Sequence, residues 1–284
     1  MGFEKMVGKD SAPALKVIEL LNKAEEIIKA NNLSAPLWYI YINYSIFYYR
    51  IKEYVEADTY SLKSLKLAKK LGDKGQMIIS LNTSGFYYEE KGDYDKALDY
   101  YNRASKVFGH KSMECESFLN IGVIYMIKDN LDKALDYYTR AHKICENNGN
   151  KGEMVKSLNN IGVVYYNKSN YDKAEEYLKK SLAIQKEIGG KAVLLETTIY
   201  LYLTYRYFGK EYDIKEIHFL IQEPKNIIFQ NNLRKSFELN FRLYQLLEDT
   251  SYLKTAYNQV QERADNLEPD VAAKFLSYPI PKAI

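Results

Sequence analysis

Three segments of this chain are near-copies of one another: Leu81–Ala104 (LNTSGFYYEEKGDYDKALDYYNRA), Phe118–Ala141 (FLNIGVIYMIKDNLDKALDYYTRA) and Leu158–Ser181 (LNNIGVVYYNKSNYDKAEEYLKKS). Gly85, Gly122 and Gly162 are spaced 37 and 40 residues apart. Ala97, Ala134 and Ala174 repeat both intervals, and so do Tyr88, Tyr125 and Tyr165. Self-similarity at this period marks an array of small units, each unable to bury its own apolar face and stabilised by stacking on its neighbours. Function then has to be sought on the surface that stacking creates.

Composition agrees with a folded array. Of 284 residues, 46% are hydrophobic and 27% charged, with only 14 Gly and 6 Pro, which suits helices joined by short turns. The 28 Tyr stand out. Many lie inside the repeats, where a Tyr fills a bulky interhelix position while its hydroxyl reaches water. The net charge is +3, from 40 basic and 37 acidic residues interspersed along the helices. No basic stripe emerges, so nucleic acid is not an expected partner. The apolar runs are too short and too polar for a signal peptide or a membrane-spanning helix, so no membrane partner and a cytoplasmic location are expected. Cys115 and Cys145 show no pairing pattern and read as free thiols.

Nothing in the chain reads as catalytic. His110, His142 and His218 are the only histidines, and none has a partner at metal-ligand spacing on its own helix face. His110 falls at a turn, and His142 reads as a solvated imidazole. There is no Gly-rich phosphate loop and no Gly-x-Ser-x-Gly. The neighbouring carboxylates Glu89-Glu90 and Glu175-Glu176 point in different directions on a helix and read as solvated. No catalytic residue, metal site or cofactor is expected.

Each repeat reads as two helices. The turns Lys91-Gly92-Asp93, Lys128-Asp129-Asn130 and Lys168-Ser169-Asn170 suit left-handed conformations or helix caps. The second helix begins near Asp95, Asp132 or Asp172, and stops at Gly109, Asn147–Gly149 or Gly189-Gly190. A step of 40 back from Gly85 and Ala97 reaches Ser45 and Ala57, so a divergent unit covers Leu37–Leu71. Leu15–Ala30 reads as a lone capping helix. A step of 40 forward from Gly162 reaches Tyr202, where the small residue is lost, and Pro224 ends that unit. The expected organisation is a capping helix in 1–36, core repeats over 37–190, divergent helix pairs and a cap over 191–267, and a tail or linker over 268–284.

Leu81…Gly85…Tyr88…Ala97…Tyr101…Ala104 and Phe118…Gly122…Tyr125…Ala134…Tyr138…Ala141 resemble the tetratricopeptide repeat (TPR). The third copy, Leu158…Gly162…Tyr165…Ala174, ends on Leu178 and Ser181 instead. The repeats are longer than the usual 34 residues. The Pro that usually closes the second helix is replaced by Gly109, Glu146 and Lys186. Long repeats of this kind are similar to those of kinesin light chains, Pins-type adaptors and Rap-type bacterial peptide-sensing regulators. The resemblance implies an all-α fold, a right-handed superhelical α-solenoid of TPR helix-turn-helix repeats.

On each first helix, the stripe opposite the packed face holds the residues six, three and two before Gly and one, four and five after it. In TPR proteins this stripe lines a concave groove. The implied ligand-groove residues are Asn43, Ile46, Asn82, Phe86, Glu89, Leu119, Asn120, Val123, Met126, Asn159, Asn160, Val163 and Tyr166. Asn43, Asn120 and Asn160 share one register, and Asn82 and Asn159 another. An amide both donates and accepts, so it can pair with an extended peptide backbone, or else bond within the solenoid or to water. Apolar residues stand where a carboxylate clamp would need Lys and Asn, which favours an internal peptide segment or an apolar helix. The reading is a non-catalytic scaffold or sensor that binds a protein or peptide segment. The alternatives are the regulatory part of a larger signalling enzyme or transcription regulator, suggested by the abrupt end at Ile284, and a self-assembling homo-oligomer.

Overall fold

The computed structural model describes residues 11–107, 111–189, 193–222 and 233–284, and among these every regular element is a helix. The helices are α1 (Ala12–Ala30), α2 (Ser34–Arg50), α3 (Tyr54–Leu71), α4 (Lys74–Glu90), α5 (Tyr94–Ser105), α6 (Lys111–Ile127), α7 (Leu131–Asn147) and α8 (Lys151–Asn167). They continue as α9 (Tyr171–Ile188), α10 (Leu194–Phe208), α11 (Ile214–Gln222), α12 (Leu233–Leu247), α13 (Thr250–Asp265), α14 (Pro269–Leu276) and α15 (Pro279–Ala283). Two compact units result, Met1–Ser117 and Phe118–Ile284. The division falls inside α6, within the stretch 37–190 that the repeats mark as one core.

Local chemistry sets the helix ends. Asp93, Asn130 and Asn170 each accept a bond from the backbone N–H three residues on, 3.2 Å in every case. The second helices therefore begin at Tyr94, Leu131 and Tyr171, just before the acids expected to start them. At the turn before each cap, Lys52, Gly92, Asp129 and Ser169 all take a positive φ, although only one of them is glycine. Gly189 closes α9 in the left-handed conformation. Gly109, Gly190 and Pro224 lie outside the described residues.

Helices next to each other in sequence pack in pairs, and the repeated small residues are the seats. A Cβ on Gly85 would lie 2.6 Å from Tyr101, and one on Gly162 would lie 2.7 Å from Leu178. Between the paired helices the repeated tyrosines stack: Tyr88 with Tyr100 at 5.4 Å, Tyr125 with Tyr137 at 5.6 Å, Tyr165 with Tyr177 at 5.5 Å. Lys96, Lys133 and Lys173 sit over the first ring of each stack at about 5 Å. Unit Met1–Ser117 adds a buried serine network, in which Trp38 Nε1 donates to Ser80 Oγ (3.0 Å) and Ser61 pairs with Ser84 (2.6 Å).

Ala97, Ala134 and Ala174 have no exposed surface. Ala134→Leu is therefore expected to overpack and cost about 1–3 kcal/mol. Lys133→Leu, on the exposed neighbouring position, should change stability by less than about 0.5 kcal/mol. Equal thermal shifts for the two variants would show that the helix register is misassigned.

Four expectations need correction. Residues 268–284, expected as a tail or linker, carry two short helices: Pro269 and Pro279 occupy first-turn positions of α14 and α15, where a missing N–H costs nothing. Phe275, 2% exposed, packs there with Phe237, Ala256, Val260 and Ala264. Neither cysteine is a free thiol; Cys115 and Cys145 are buried and disulfide-bonded. His142 is half-buried, its Nδ1 3.0 Å from Ser157 Oγ, and burial lowers its pKa below the usual imidazole value. Glu89 is not solvated but buried, accepting from the Tyr101 hydroxyl at 2.6 Å. His110 lies outside the described residues.

Candidate functional site

The thirteen groove candidates separate by burial. In Met1–Ser117, Asn43 and Ile46 are exposed and Phe86 is half-buried. The Asn43 amide donates to Tyr39 O of its own helix at 2.7 Å. Asn82, 8% exposed, accepts from Ser117 Oγ at 3.1 Å. In Phe118–Ile284, Asn159 has no exposed surface and accepts from Thr197 Oγ1 of α10 at 2.8 Å. Leu119 and Val163 are buried as well. Asn82, Leu119, Asn159, Val163 and Glu89 therefore belong to the interior and not to an open groove floor. The register three before glycine is covered where one first helix meets the next.

The register two before glycine behaves differently. Asn120 on α6 and Asn160 on α8 are half-buried, and neither amide forms a hydrogen bond among the described residues. Forty residues after Asn160, the same register on α10 holds Tyr200, which is buried. Met126, Val163, Tyr166 and Tyr200 meet in one apolar cluster with Ala174, Leu178 and Leu201. Val123 is half-buried on the same stripe.

Beyond Tyr200 the site turns polar through residues that the repeat pattern did not select. The Tyr200 hydroxyl donates to Glu238 Oε1 (2.8 Å) and accepts from Arg242 Nε (3.2 Å). Arg242 Nη1 donates to Gln245 Oε1 (2.9 Å) and Nη2 to Asn167 Oδ1 (3.0 Å). Burial weighs against the Arg242 charge, but the Tyr200 hydroxyl and Glu238 outweigh it, and the guanidinium holds its proton more firmly than usual. Burial pushes the Tyr200 hydroxyl well above the phenol range, with Arg242 opposing, so it stays a neutral donor. Next to this centre, the C-terminal ends of α8, α10 and α12 enclose an open cavity of about 710 Å³. Its walls include Tyr166, Tyr171, Tyr207, Tyr244, Arg206 and Gln245. That volume is typical of a ligand site.

The tetratricopeptide repeat profile matches residues 38–108 and 114–187, about half of the chain. The chain belongs to the tetratricopeptide repeat family. Among curated proteins none matches it. Solved structures share the TPR fold at low sequence identity. BtubC (BKLC) from P. vanneervenii superposes with a TM-score of 0.63 at 20% identity, covering 78% of this chain and 93% of that one. The Rap conjugation gene regulator of plasmid pLS20, in complex with the Phr* peptide, gives 0.61 at 14% identity, covering 85% and 72%. The apo quorum sensor NprR from B. thuringiensis gives 0.58 at 16% identity, covering 87% and 70%. The chain is thus an all-α solenoid of TPR helix-turn-helix repeats. No described helix is long and apolar enough to cross a membrane, and no described cluster of His, Cys, Asp and Glu could hold a metal ion.

Proposed function

We propose that this TPR chain is a non-catalytic module that binds an extended peptide or protein segment along α6, α8 and α10 of the unit Phe118–Ile284. The observation that carries the reading is the pair Asn120 and Asn160. Their amides recur at one register of successive first helices, without internal partners. A segment could pair its backbone with these amides while its apolar side chains settle against Met126, Tyr166 and the edge of Tyr200. The pLS20 Rap regulator, of the same fold, was solved with a peptide bound, which supports the class of ligand. A cytoplasmic scaffold or sensor is the corresponding role.

A random peptide display library selected on the wild-type protein supplies the probes. Asn120→Ala/Asn160→Ala should weaken selected peptides by about 1–3 kcal/mol for each buried hydrogen bond lost. The melting temperature should stay near wild type, because neither amide supports the fold. Selected peptides that bind the double variant as tightly as wild type would falsify the assignment.

A further inference from the structure

The exposed face of α3 departs from the pattern of the other second helices. Around their common alanine (Ala97, Ala134, Ala174), α5, α7 and α9 carry an acid two residues before, Asp95, Asp132 and Asp172. Two residues after it they carry another, Asp99, Asp136 and Glu176. The cation six residues after the alanine pairs with that later acid: Arg103 with Asp99, Arg140 with Asp136, Lys180 with Glu176. In α3 the alanine is Ala57, and Val55 and Thr59 stand in place of both acids. The Thr59 hydroxyl donates to Val55 O of its own helix at 2.9 Å. Lys63, at the place of the paired cation, lies over the Tyr60 ring at 4.2 Å instead.

With those acids gone, one stripe of α3 is basic and partly apolar. Val55, Thr59, Leu62, Lys66 and Lys69 follow at steps of four and three, with Lys63 and Lys70 beside them, and all seven are exposed. Ala57, Ser61, Ser64, Leu65 and Ala68 are buried on the opposite side. None of the four lysines has an ion pair among the described residues. Val55 is 74% exposed, more than any other described large apolar side chain. The acids of α3, Glu56 and Asp58, lie off the stripe, and Asp58 accepts from the Tyr88 hydroxyl at 2.9 Å. We propose that this stripe docks on an anionic lipid bilayer. The helix lies along the headgroups, where the ammonium groups meet phosphates and carboxylates while Val55 and Leu62 reach the acyl boundary. Nucleic acid fits less well: the stripe has no arginine for bidentate contact and no ring for stacking, and it sets apolar side chains where phosphates would lie. The surface is independent of the segment path along α6, α8 and α10.

The test is sedimentation of the full chain with two kinds of vesicle, phosphatidylcholine alone and phosphatidylcholine with phosphatidylserine at two to one. Wild type should partition onto the mixed vesicles and not onto the neutral ones, and added salt should release it. Each lysine near such a surface is worth about fivefold in partition. Lys63→Gln/Lys66→Gln/Lys69→Gln/Lys70→Gln should therefore lower partition at least about a hundredfold. Lys143→Gln/Lys186→Gln/Lys215→Gln/Lys254→Gln makes the same change in net charge at four exposed lysines elsewhere and should keep most of the binding. Val55→Asp/Thr59→Asp restores the acids of the sister helices without removing a lysine, and should lower partition about tenfold or more. It decides the matter if the lysine variant fails to fold. No partition onto mixed vesicles, equal partition onto neutral ones, or an equal loss in both lysine variants overturns the proposal. So does partition that survives Val55→Asp/Thr59→Asp. Capture by immobilised poly-glutamate without partition onto vesicles overturns it as well, and assigns the face to an acidic protein.

Discussion

Gly122→Ala is expected to destabilise the protein by about 1–3 kcal/mol, against the usual gain when a helical glycine becomes alanine. A Cβ at this position would lie 2.6 Å from Tyr138 Cδ1 and press on Cε1 as well. The Tyr138 ring is 2% exposed, and a ring cannot fold aside as a flexible chain end can. α6 and α7 must separate, or the ring must leave its rotamer, and either costs more than the propensity gain. Gly152→Ala is the control. It lies near the start of α8, where the nearest neighbour of an added Cβ is Asn150 Oδ1 at 3.6 Å. That change should stabilise by about 0.5 kcal/mol. Denaturant midpoints of the same sign for both variants would remove the steric account.

The third copy allows a stricter test, because Leu178 replaces the tyrosine there. Leu178 has no exposed surface, so Leu178→Ala should cost about 2–5 kcal/mol for lost contact and the cavity left behind. Gly162→Ala alone should cost about 1–3 kcal/mol, because its Cβ would meet Leu178 Cγ at 2.7 Å and Cδ2 at 2.8 Å. In the double variant the new methyl enters the space that the leucine vacated. The combined loss should fall short of the sum of the singles by about 0.5–3 kcal/mol. Additive losses would mean that the two residues do not share one volume.

The repeat units were legible because each carries its own packing instructions. Gly85, Gly122 and Gly162 seat against Tyr101, Tyr138 and Leu178, side chains found sixteen residues later in the same copies. What lies between copies was harder to read. Periodicity put Asn82 and Asn159 on the open stripe, but one helix does not reveal where the next first helix crosses it. Ser117 and Thr197 turned out to cover these amides. That neither cysteine is a free thiol carried no signal in the sequence, since a spacing of thirty matches no pairing motif. Arg242 was missed because α12 and α13 lack the glycine and alanine signature and read only as a cap. Its trace was visible as a single cation in the otherwise largely apolar run Leu239–Leu247 (LNFRLYQLL).

The amides that left the groove have a consequence for how this array can change. Asn82 holds Ser117 and Asn159 holds Thr197, whereas the second copy places Leu119 at the matching position and Ser157 turns to His142 instead. A polar junction therefore follows the first copy and another follows the third, with an apolar position in between. The units are near-copies in sequence, yet they act as ordered words rather than beads. Each one carries an end that fits the neighbour it has and not an arbitrary sister. An added or deleted copy would need to respect that alternation, so the length of the solenoid is encoded at its seams as much as in its repeats.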